Sequence, residues 1–371
     1  MIYPSNPAPL VDAHLDIAMN ALLNKRDLSL SVEQIRKLEG RSREQAMISL
    51  PDLTKAGVGL VCATLFVEPA ASDWAADYLA NMTAAANMKV YRTPQEAQAQ
   101  ALEQLEVYLR WQDQGLVRII TSQHSLAEHL KLWQQDQKLG LIVLMESADP
   151  IVKPDDLSKW FERGVRMIGL SWGATRYAGG TGSPGPLTLE GRELLQGMTE
   201  LQVIHDASHL AEESFWESLE IGHHALCASH SNARALLQPP AGVAANLPAN
   251  RHLSDAMIDA IGQANGMIGI NLINAFLDPR WQMTKAPPEN PVVSLELQAR
   301  AQAEYMAGRI GWDKIGIGSD IDAGAGGEET PIDFQEAKDY PNLSRIAPEH
   351  RDAVMGRNWL RFFARALPQT S

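Results

Sequence analysis

Eight short, nearly uninterrupted apolar runs punctuate the chain, at 9–14, 59–66, 140–146, 165–171, 201–206, 225–229, 267–273 and 314–319. Runs without strict polar alternation are expected of strands covered on both faces. Between them apolar positions recur at helical spacing, as in SLAEHLKLWQQDQ, EGRELLQGMTEL, AEESFWESLEI and SDAMIDAIGQAN, and a longer helical stretch runs from Trp74 to Gln114. Several of these stretches open on Ser or Asp and close near Gly, as helix ends do. Eight strand–helix alternations predict an α/β chain folded as a (β/α)8 TIM barrel. An open doubly wound sheet is the alternative, because strand count alone does not close a ring. No linker or repeat interrupts 1–371, so a single catalytic domain is expected. Long excursions at 173–187, rich in Gly and Pro, and at 320–341 should roof the face onto which the strand C-termini open.

Charge and composition narrow the partners. A net charge of −13 gives no basic stripe for nucleic acid or an anionic membrane surface. No apolar run approaches spanning length, and the N-terminus lacks the basic start and apolar core of a secretory signal, so a cytoplasmic protein is expected. The two cysteines, Cys62 and Cys227, fall inside apolar runs and are read as buried reduced thiols. The sequons at Asn81 and Asn342 are idle without secretion.

The candidate chemistry sits where the runs end. VDAHLD offers His14 and Asp16, LIVLMES offers Glu146, IHDASHL offers His209 and LCASHSN offers His230. His14 and Asp16 are two apart and point the same way on an extended strand. Imidazole and carboxylate are ligands preferred by zinc and similar divalent ions. Each residue alone has an ordinary structural explanation, but five on four successive strand ends read as the ligand set for two metal ions, most simply Zn2+. Glu146 is the natural anionic bridge. Two such ions share a water, lower its pKa and present hydroxide to a carbonyl or phosphoryl group, and residue types alone leave that electrophile open. Asp320, closing IGIGSD, is the candidate proton shuttle, while Asp322 is read as a loop or supporting residue. The remaining histidines are read as structural.

These motifs resemble the membrane (renal) dipeptidase family of zinc peptidases, from VDAHLD to the C-terminal GRNWLRFFARAL. The resemblance implies His14 and Asp16 on one zinc, His209 and His230 on the other, Glu146 bridging, and Asp320 as acid/base. It places Arg251 at the substrate's terminal carboxylate, with Arg234 a competing candidate across the apparent insertion LLQPPAGVAA. The chain departs from the family at Trp172, where a substrate-contacting histidine is usual, and in MESAD after the third strand. An indole cannot copy a cationic imidazole, so either Thr175, Arg176 or Tyr177 supplies a donor or the substrate differs. The implied function is hydrolysis of dipeptides or similar small amides, with a homodimer possible. The alternatives are another small amide or lactam as substrate, and a metal-binding protein that has lost catalysis.

Overall fold

The apolar runs become the staves of a closed ring. The computed structural model describes residues 8–41, 43–70, 89–242, 245, 247–282, 289–323 and 326–370. The ring strands are β1 (Leu10–Leu15), β2 (Val58–Leu65), β3 (Leu139–Met145), β4 (Val165–Gly169), β5 (Ile204–Asp206), β6 (Ala225–Ala228), β7 (Met267–Ile270) and β8 (Ile315–Ile317). All eight pair in parallel in chain order, and β8 returns to β1 through Asp12 opposite Ile317. The barrel reading therefore prevails over the open sheet.

Side-chain alternation sorts the two faces of each stave. On β3, Leu141, Val143 and Met145 join the large apolar layer shared with the surrounding helices. Ile142 and Leu144 join a separate cluster with Leu60, Cys62, Met167, Ile204, Cys227 and Met267 from five other strands, which is the barrel interior. The next inward position is Glu146, at the mouth. The opposite end is closed by the C-terminal helix Asn358–Ala366, whose Trp359 and Phe363 complete the inner cluster. Trp359 Nε1 donates to the Ile317 carbonyl at 3.0 Å.

Some elements differ from expectation. The stretch read from Trp74 to Gln114 is helical over Pro94–Asp113. Thr93 caps that helix from an extended backbone, Val90–Tyr91 forms a short strand, and 71–88, including Asn81, lie outside the described residues. A short strand, Val117–Ile119, pairs with the start of β3 beside the ring. The Gly- and Pro-rich excursion contains an antiparallel hairpin, Ala178–Gly180 with Ser183–Leu187. Cys62 and Cys227 are buried free thiols. No helix among the described residues is long and apolar enough to cross a membrane.

Candidate metal centre

The five ligand candidates and Asp320 converge at the mouth, all buried. Glu146 lies at their middle with its oxygens facing two ways. Oε2 is 3.5 Å from His14 Nε2, while Oε1 is 3.4 Å from His209 Nε2 and 3.5 Å from His230 Nε2. His14 Nε2 is in turn 4.0 Å from Asp16 and 3.9 Å from Asp320. Two groups of potential ligand atoms result, His14–Asp16–Asp320 and Glu146–His209–His230, each gathered within 4.8 Å. The Nε2 atoms of His209 and His230 face one another at 3.0 Å, and the buried His14 Nε2 and Glu146 Oε2 have no hydrogen-bond partner among the described residues. Unpartnered buried polar atoms aimed at a shared space are what a cation would satisfy.

The far sides of the imidazoles are held instead. Thr181 Oγ1 lies 3.0 Å from His209 Nδ1. Ser229 Oγ lies 2.8 Å from His230 Nδ1 and 3.3 Å from His14 Nδ1, and donates to Asp206 Oδ2. One hydroxyl thus orients two candidate ligands, each leaving Nε2 for the centre. His14, Asp206 and His230 could themselves be taken for a third ligand group, but the Ser229 hydroxyl fills the space between them. The chain is built tightly around this serine: a Cβ on Gly269 or Gly318 would collide with its carbonyl oxygen. Asp16 is held by the Thr64 hydroxyl, and Asp320 Oδ2 accepts from Asn271 Nδ2 at 2.8 Å. His209 and Asp320 adopt the left-handed backbone region, with φ of 66° and 61°. Such strain in non-glycine residues clusters at functional sites.

The electrostatics suit cations. Burial lowers His209 to about 3, with Arg251 adding to the effect, and lowers His230 well below its usual value, so both are neutral donors. Burial and the neighbouring Glu146 push Asp16 up to about 8, and burial, with Glu146 opposing His14, puts Asp320 at about 6. Burial works against a charge on His14, yet Glu146 first, then Asp320 and Asp16, raise it to about 10. Crowded carboxylates of this kind call for positive charge between them.

Arg251 reaches the centre from the loop after β6. It is buried, with Nη2 donating to the His230 carbonyl at 3.0 Å and its guanidinium 4.8 Å from the Phe276 ring. Arg234 turns away to Glu212 at 2.8 Å. Trp172 lies beside the centre, its ring 5.8 Å from that of His209 and 5.2 Å from Phe66, in an apolar cluster with Met19. Thr175, Arg176 and Tyr177 do not replace a histidine there. Thr175 Oγ1 donates to the Leu170 carbonyl, and Arg176 and Tyr177 are both tied to the Ile151 carbonyl. Asp322 accepts from Arg26 Nη1 at 2.7 Å and from the Met47 and Ile48 amides, so it anchors a loop. Sequence reasoning missed Asp206, Ser229, Thr181 and Asn271. The available clue was that polar residues at or just after strand ends have few partners except one another.

Comparison with known proteins places this geometry in a family. Residues 5–367 match the membrane dipeptidase family, peptidase family M19. The chain is 30% identical over 254 residues to an uncharacterized protein in the pqqA 5' region of Klebsiella pneumoniae, covering 63% of this chain and 85% of that protein. It is 28% identical over 209 residues to the dipeptidase tcpJ of Claviceps purpurea, covering 53% of this chain and 44% of that one. A metallo peptidase from Rhodobacter sphaeroides, solved with a phosphinate mimic of the dipeptide L-Ala-D-Ala, shares the fold with a TM-score of 0.74 at 22% identity, covering 97% of this chain and 99% of that chain. The probable dipeptidase PvdM from Pseudomonas aeruginosa does so with a TM-score of 0.72 at 18% identity, covering 98% and 96%.

Proposed function

The chain belongs to the membrane dipeptidase family, and from that premise we propose that it hydrolyses the amide bond of dipeptides at a centre of two divalent ions, most simply zinc. The observation that carries this reading is the division of Glu146, whose two oxygens face separate ligand groups. His14 and Asp16 would hold one ion and His209 and His230 the other, with Glu146 shared between them. Ions so held would supply a water acidified towards neutrality and a charge that polarises the scissile carbonyl.

The chain's own groups do the rest. Asn271 fixes Asp320 by Oδ2. Oδ1 faces the centre, 3.9 Å from His14 Nε2, where it takes the water's proton and returns it to the leaving amine. Arg251 receives the substrate's terminal carboxylate, as a guanidinium fork suits. Trp172, Phe66 and Met19 form an apolar wall beside His209, which adds contact area where the family resemblance implies a polar donor. That wall favours a second reading of the substrate, a bulkier or more apolar amide cut by the same chemistry. The buried thiols fit a reducing compartment, and we place the enzyme in the cytoplasm.

Elemental analysis with anomalous scattering on zinc-loaded protein is expected to find two ions per chain, both touching Glu146. A dipeptide panel should be hydrolysed by that preparation. A single ion with His209 and His230 empty rejects the bridged centre, and an inactive two-ion protein rejects the peptidase assignment.

A further inference from the structure

In a ring of eight, strands four apart face each other across the mouth, and β2 and β6 are such a pair. The loops that follow them carry opposite charges. After β6 comes Arg251, buried against the backbone of His230. After β2 comes Glu68, 2% exposed, with neither carboxylate oxygen hydrogen-bonded among the described residues.

Alternation along this stretch shows which way Glu68 faces. Thr64 touches the ligand Asp16, and Phe66 packs on Trp172, which lies against His209. Glu68 is the next residue on that side. Its carboxyl is pushed up to about 8 by burial and then by the charge of Glu146. The neighbouring Tyr91 hydroxyl is already given to Asp149. A buried carboxylate without a partner is costly unless a cation completes it.

We propose that Glu68 receives the free α-ammonium group of the substrate, opposite Arg251, so that a zwitterion spans the mouth with its amide over the centre. This rests on the dipeptidase reading and adds to it a requirement for an unblocked N-terminus. N-acylated amino acids and lactams, which lack that ammonium, are thereby poor substrates.

The test is calorimetric titration of zinc-loaded protein with a phosphinate mimic of Ala-Ala and with the same compound lacking its amino group. The wild type is expected to bind the amino form about 10- to 100-fold more tightly, the range of one charge-assisted hydrogen bond. In Glu68→Gln that preference should vanish, with affinity for the deamino compound and zinc content unchanged. Equal binding of both compounds by the wild type, or an undiminished preference in Glu68→Gln, overturns the proposal. Hydrolysis is scored separately. A wild type that prefers the amino form yet cleaves no dipeptide keeps the ammonium site and loses the dipeptidase reading.

Discussion

At the scale of single residues, Asp320 and Trp172 carry the sharpest expectations. Asp320→Asn keeps the hydrogen-bonding shape toward Asn271 but cannot accept a proton. It should retain zinc and lose about 10²–10⁴-fold in kcat, and a variant with near-normal kcat would remove Asp320 from the proton path. Trp172→His puts a titratable donor back beside His209. It should raise kcat/KM on small dipeptides with zinc content unchanged, because an imidazolium stabilises developing negative charge that an indole does not. Equal kcat/KM for the two proteins across a matched panel would leave the apolar wall without a role in specificity.

At the scale of elements, β5 and β6 act together through one hydroxyl. Ser229, just after β6, links Asp206 on β5 to the Nδ1 atoms of His14 and His230. Ser229→Ala should therefore weaken zinc binding by about 10–100-fold, as loss of a group that orients ligands does, and the loss should reach both ions. Competition with a chromogenic chelator measures this directly, and loss confined to one ion would contradict the shared role. The eight staves and the candidate ligands at their ends were legible in the sequence because doubly buried strands write themselves as apolar runs, and a His or Glu at the end of one stands out. Ser229, Thr181 and Asn271 were not legible as partners, since their roles depend on which strand lies alongside. The Val117–Ile119 strand escaped for a related reason: three residues beside the start of β3 leave no period to read.

At the scale of the whole molecule, acid should weaken the fold through histidines outside the centre. Burial holds His129 at about 4, His205 at about 3 and His252 at about 3. All three stay neutral in the fold and take up protons on unfolding below about pH 6.5. The unfolded state then binds more protons, so stability falls with pH from about 6.5 down to the folded values, by at most about 4 kcal/mol per pH unit from these groups. Buried carboxyls such as Asp16, at about 8, and Asp320, at about 6, act in the opposite sense over this range, so the histidine contribution is read as a difference. In chelator-treated protein the Tm of His129→Gln relative to wild type should rise from pH 7.5 to pH 5, and a constant difference would contradict burial of a neutral ring there. The closure of β8 on β1 bears on the order of events during synthesis. Asp12 accepts from the Ser319 amide, 307 residues away, and from the Tyr340 hydroxyl. His14 and Asp16 leave the ribosome long before Asp320, which completes their group. Contacts this distant form late, because a long loop must close before they bring any gain. A nascent chain that has not yet reached Asp320 can therefore offer a metal only a fragment of the centre.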